Sequence, residues 1–271
     1  MVRRGWLWFA APAAALFLAF WLLPMAALAL TGARTAEGHS AYVTVLTSMQ
    51  YWRSLANTVV LSLVATLATL LVALPVGRFL AWHREFPGRR ALVALLMFPL
   101  AFPGVVVGFL IILLAGRQGV TATISRWLGA EPLVFAYGMA GLFLGYLYFS
   151  LPRTIGMISA AAEQIDTSLL EAARTLGASG WRRFADIELP ALTPALLGAG
   201  AMSFATSMGA FGTAFTLATQ IDVLPITIYN EFTNYANIPV AAALSIVLGL
   251  VTWAVLYVAH SVAGTRAGAA A

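Results

Sequence analysis

Along the 271 residues, long apolar runs alternate with short polar stretches, and the runs are too long to be strands. About 20 mostly apolar residues are needed for a helix to cross a bilayer. Six segments meet that length: 6–30, 57–80, 91–115, 133–152, 194–218 and 239–262. The pattern predicts an all-α polytopic membrane protein, one domain over 1–271, with six transmembrane helices and both termini on the same side. The first run also has the basic start and small-residue end of a secretory signal. From Trp6 to Leu30 it is longer than a signal core of roughly 7–15 residues, so a retained helix is expected.

Charge sets the orientation. Hydrophobic residues make up 61% of the chain and charged residues 9%, and all 15 basic residues are Arg. With the N-terminus inside, Arg3, Arg4, Arg78, Arg84, Arg89, Arg90, Arg153, Arg174, Arg182, Arg183 and Arg266 are cytoplasmic, and Arg34, Arg53, Arg117 and Arg126 are outside. The excess of inside Arg selects this topology and makes 153–193, between helices 4 and 5, a cytoplasmic loop. The Arg residues are not grouped as a nucleic-acid patch. There is no Cys, and His39, His83 and His260 are scattered, which leaves no metal or thiolate site. Without Lys the chain also has no P-loop of its own.

Inside the spans, "FPLAFPGVVVGF" places Pro99, Pro103, Gly104 and Gly108 in the third helix and predicts a kink. The fifth holds Gly200, Ser203, Thr206, Ser207, Gly209, Gly212, Thr213 and Thr216. Such density of small and hydroxyl residues suits close helix packing, or one face of a polar translocation path through Ser203, Thr206, Ser207 and Thr213. Apart from Arg78 and His260 near cytoplasmic ends, the spans carry no ionisable relay, which disfavours an ion-coupled carrier. Nor do they carry a convergent set of catalytic groups.

The loop is different. "EAARTLGASGWRRFADIELP", residues 171–190, is crowded with charge. Upstream of it Asp166, Thr167 or Ser168 can cap a helix, and Ser168 with Glu171 has capping-box spacing. Leu169, Ala172, Ala173 and Leu176 share one helix side, and Gly177 supplies a stop. Trp181 to Ile187 can form a second short helix, with Pro190 and Pro194 marking the start of the fifth span. An exposed hairpin of this character suits a groove on a soluble protein, or a lipid headgroup surface.

The spacing Glu171-Ala172-Ala173, Gly177, Ile187, Leu189-Pro190 resembles the EAA loop of binding-protein-dependent ABC importer permeases. The likeness extends to the six spans. It implies an inner-membrane permease subunit without an ATPase site, binding no cofactor itself, with ATP and Mg on partner subunits. It also implies a second permease chain, a different one in the expected heterodimer, together with two ATP-binding subunits and an extracytoplasmic solute-binding protein. Carried onto this sequence, Ala172 and Ala173 enter a cleft of the ATPase subunit, Glu171 and Arg174 touch its rim, and Gly177 makes the turn.

The C-terminal "LP", "IY" and "AAALS" order is similar to polyamine, 2-aminoethylphosphonate and ferric-ion permeases. That resemblance implies a small charged solute, a polyamine or aminophosphonate first; sulfate, molybdate and thiamine are the other solutes considered. Glu37, Glu131, Asp222 and Glu231 outside are read as solvated loop charges or as attractors of a cation. Tyr137, Tyr146 and Tyr148 are read as packing aromatics or as an ammonium cage.

Overall fold

A computed structural model describes residues 5–33, 40–217 and 221–269. Arg3, Arg4, Arg34, Glu37 and His39 lie outside the described residues, as do the side chains of His260 and Arg266. Regular structure among the described residues is entirely helical. The first apolar run forms α1 (Gly5–Phe17), a π-helical stretch (Leu18–Leu22) and α2 (Leu23–Ala33), with Phe20 and Trp21 exposed. A short α3 (Ala41–Thr47) follows, and its Tyr42 hydroxyl donates to the Ala29 carbonyl at 3.0 Å.

The second run is α4 (Met49–Trp82), 34 residues and so roughly 50 Å long. It starts earlier than expected because the extended backbone of Ser48 sets its N-terminus and "QYWRS" continues the helix. The third run is divided. α5 (Arg89–Met97) and a 3-10 turn (Phe98–Ala101) end before α6 (Gly104–Ala115). Pro103 forces Phe102 out of the helical region (ψ 135), so the expected kink is a full break.

After α7 (Val120–Trp127), residues 133–138 are irregular or bent, with the Phe135 and Ala136 amides donating to the Ala115 carbonyl at 3.0 and 3.1 Å. The fourth helix is therefore α8 (Met139–Ala162), displaced from the expected 133–152. Arg153, assigned from sequence to the loop, lies within it. Ahead of the fifth run the chain forms α9 (Thr167–Thr175), α10 (Gly180–Arg183) and a π-helical stretch (Phe184–Glu188), then α11 (Leu189–Met208) without interruption. Pro190 and Pro194 thus do not begin the span. Pro190 has no N–H for the Asp186 carbonyl, and the π register just before it, with the Leu189 amide on Phe184, absorbs the defect. A real break comes at Gly209–Ala210, before α12 (Phe211–Leu217). α13 (Leu224–Tyr229), a further π stretch (Asn230–Asn234) and α14 (Ile238–Ala269) complete the order.

Among the described residues five helical runs are long and apolar enough to cross a membrane: Ala11–Ala33, Met49–Trp82, Gly104–Trp127, Gly180–Met208 and Ile238–Ala259. α8 has the length but carries Arg153, Pro152 and several hydroxyls. It packs along α4, where Gly77 admits Ile158; a Cβ on Gly77 would stand 2.8 Å from the Ile158 Cγ2. Gly108 likewise leaves room only for Thr216, bringing α6 onto α12. Along α4 the buried hydroxyls Ser54, Thr58, Ser62 and Thr66 recur every fourth residue.

Candidate coupling loop and membrane cavity

The loop is a helical hairpin built by local signals. Asp166 caps α9 by accepting from the Ser168 amide at 2.8 Å, which also holds its carboxyl below the usual carboxylate range. The cap is Asp166 alone; the Ser168–Glu171 box is not formed. At the other end Gly177 has φ +79, and the amides of Gly177 and Ala178 donate to Arg174 and Ala173 at 3.0 Å each. This pair of bonds is the Schellman stop, which needs a left-handed residue at Gly177. Ser179 then caps α10 through the Arg182 amide.

Glu171, Ala172, Arg174 and Gly177 are exposed on the hairpin, while Ala173 and Ile187 are partly buried and line the depression between α9 and the next helix. Leu189 is half-buried and Pro190 exposed where the helix runs into α11. Among the described residues the apolar side of α9 has no cover: Leu169 is 56% and Leu176 88% exposed, and Trp181 at the start of α10 is 74% exposed. Apolar surface of this kind on a charged hairpin suits a protein or a lipid contact.

Sequence reasoning missed what anchors the hairpin. Glu188, between Ile187 and Leu189, is buried, and its Oε2 accepts from Arg78 Nε at 2.7 Å and lies 2.6 Å from Nη2. The same guanidinium lies 4.2 Å from the Phe184 ring centroid. The C-terminal end of α4 is thereby tied to the helix that leaves the hairpin. One signal was available: Glu188 is an acid flanked by apolar residues, close in topology to Arg78.

In the membrane region a cavity of about 300 Å³ lies where α6 begins, α11 ends and α8 passes. Tyr146, Thr206, Ser207 and Thr213 line it together with Ser150 and the backbone of Gly209–Gly212. Ser203 is buried one turn away and is not part of the lining. Thr213 donates to the Gly104 carbonyl at 3.1 Å, joining α12 to the first turn of α6. Arg153 Nη1 reaches Thr206 Oγ1 at 3.4 Å and its guanidinium lies 5.8 Å from the Phe149 centroid.

The cation-binding features read from sequence do not converge. Of Tyr137, Tyr146 and Tyr148, Tyr146 alone lines the cavity, while Tyr137 packs against the apolar cluster of Leu142 and Leu217. Glu131 and Asp222 are exposed. Glu231 is not a solvated loop charge: it is 7% exposed and accepts from the Tyr51 hydroxyl at 2.9 Å, which pins the segment after α13 to α4.

Residues 73–266, which hold both the hairpin and the cavity, match the family of the binding-protein-dependent transport system inner membrane component. The chain belongs to this family. It is a multi-pass inner-membrane protein of the ABC importer permease type, as the EAA resemblance implied. The molybdenum transport system permease protein ModB of Escherichia coli (strain K12) is 37% identical over 167 residues, 60% of this chain and 72% of ModB. The sulfate transport system permease protein CysT of the same strain is 31% identical over 224 residues, 77% of this chain and 79% of CysT. A chain in the crystal structure of a bacterial alginate ABC transporter in complex with alginate pentasaccharide-bound periplasmic protein has the same fold. Its TM-score is 0.76 at 23% identity, over 95% of this chain and 94% of that one. The narrower likeness to polyamine, aminophosphonate and ferric-ion permeases gains no support from these relatives.

Proposed function

We propose that this chain is the permease subunit of an ATP-driven importer that passes a tetrahedral oxyanion of the molybdate or sulfate type into the cytoplasm. The observation that carries the solute class is the cavity. Hydroxyls line it, no carboxylate does, and Arg153 stands at its edge. An ammonium solute would need the opposite charge. The names of the two permeases above agree with an oxyanion.

In this reading α8 is the sixth span, both termini are cytoplasmic, and the hairpin faces the cytoplasm. Two ATP-binding subunits, which hold ATP and Mg, dock on the EAA hairpins of this chain and of a second permease subunit. An extracytoplasmic binding protein delivers the solute. Ala172, Ala173 and Leu176 fill the ATPase cleft, with Glu171 and Arg174 at its rim. ATP binding draws the docked hairpins together and shifts the spans to the outward-open state, because ATP binds the closed ATPase pair better. Movement reaches the bundle through Ile187, Leu189 and Pro190, which belong to one continuous helix with α11.

Uptake of labelled molybdate, sulfate, spermidine and 2-aminoethylphosphonate by a strain lacking the chain tests the solute class. Loss of an oxyanion, restored by the wild-type chain, is expected. Loss of spermidine or 2-aminoethylphosphonate uptake with intact molybdate and sulfate uptake would overturn it.

A further inference from the structure

We infer that the cavity between α6, α8 and the α11–α12 break is a transit site for the oxyanion, in which Tyr146 and Ser207 donate to the ion and Arg153 supplies positive charge. This rests on the oxyanion reading above and assigns its residues inside the membrane.

Unpaired donors carry the argument. Tyr146 and Ser207 are each 2% exposed, both line the cavity, and neither side-chain oxygen has a hydrogen-bond partner among the described residues. A hydroxyl in a membrane helix ordinarily bonds the carbonyl one turn back, as Thr206 does with Met202 at 2.8 Å. Ser207, its neighbour, does not. Two buried hydroxyls without acceptors, on side chains that border one cavity, are donors free to take an acceptor there.

Charge around the cavity has one sign. Arg153 has no carboxylate partner among the described residues, and both groups it touches, Thr206 and the Phe149 ring, line the cavity. The 12-residue α6 begins there, bringing its N-terminal amide end at Gly104 and Val105 to the wall. The carbonyl end of α11 meets the same space, but Ala205 and Ser207 carbonyls already accept from Gly209 and Ala210 at 3.2 and 3.3 Å. A volume of about 300 Å³ holds a tetrahedral oxyanion with part of its water shell, so the ion need not be stripped bare. Two neutral donors and one offset cation hold it weakly, as passage requires.

The test is oxyanion uptake and ATP hydrolysis in proteoliposomes holding the complete importer with its binding protein. Tyr146→Phe and Ser207→Ala are each expected to lower oxyanion delivered per ATP about tenfold, with Tm unchanged or raised, since each removes an unpaired buried oxygen. Arg153→Lys is expected to retain more uptake than Arg153→Gln. A purely structural role predicts the reverse for the first two, a lower Tm with the uptake ratio kept. Wild-type ratios in Tyr146→Phe and Ser207→Ala, in liposomes where the wild type carries oxyanion, would overturn the site and leave the solute class standing. Wild-type liposomes that carry no oxyanion would overturn the solute class itself.

Discussion

Replacing Gly177 by valine is expected to cut ATP-driven uptake at least tenfold while the membrane bundle stays folded. At φ +79 a β-branched residue carries a backbone penalty of roughly 1–3 kcal/mol. Beyond its chain neighbours, no heavy atom of the described residues lies within 4 Å of the position a Cβ would take, so the penalty is conformational and not a clash. The strain is relieved by leaving the left-handed region, which breaks the Gly177–Arg174 and Ala178–Ala173 bonds and re-aims α9 against α10. Gly177→Asn is the control, because Asn tolerates this conformation, and it should keep most of the uptake. A valine variant with full uptake would remove the turn from the coupling path.

Removal of either member of the Arg78–Glu188 pair should have the larger effect on stability. Glu188→Ala leaves a guanidinium at the α4–hairpin junction without its carboxylate, and the expected loss is about 3 kcal/mol, the lower end for a buried pair, as Arg78 retains some exposure. Arg78→Ala strands the more buried carboxylate and also removes the stacking on Phe184. Thermal unfolding of the detergent-solubilised chain should show a Tm lower by several degrees for each, and the reversed pair Arg78→Glu with Glu188→Arg should recover part of it. Single variants with the wild-type Tm would mean that the pair does not tie α4 to the hairpin.

Much of this architecture was legible because the signals are local. The apolar runs locate the bundle, and the hairpin follows from Asp166, Gly177 and Ser179, whose side chains or backbone freedom act within a turn of themselves. Its anchor pattern, Glu171 to Pro190, is likewise contiguous. Tertiary effects were not legible. Arg153 reads as the start of a loop, yet Thr206 and Phe149 receive it inside the bundle and α8 continues to Ala162. Pro190 and Pro194 read as the start of the fifth span, yet the π stretch before them joins α10 to α11 in one helix. Glu188 occupies a position where the EAA spacing specifies nothing, and its meaning comes from Arg78, 110 residues away. The hydroxyls of the fifth span stand out in the sequence, but which of them share a cavity depends on the break at Gly209–Ala210 and on Tyr146 from another helix.

Whether ATP bound elsewhere drives passage through this chain is decided by reconstituting it with its permease partner, the ATP-binding subunits and the binding protein. Molybdate or sulfate uptake is expected to need ATP on the ATPase side and to stop when the ATP-binding subunits are left out. Uptake by the permease chains alone, driven by an ion gradient, would contradict it.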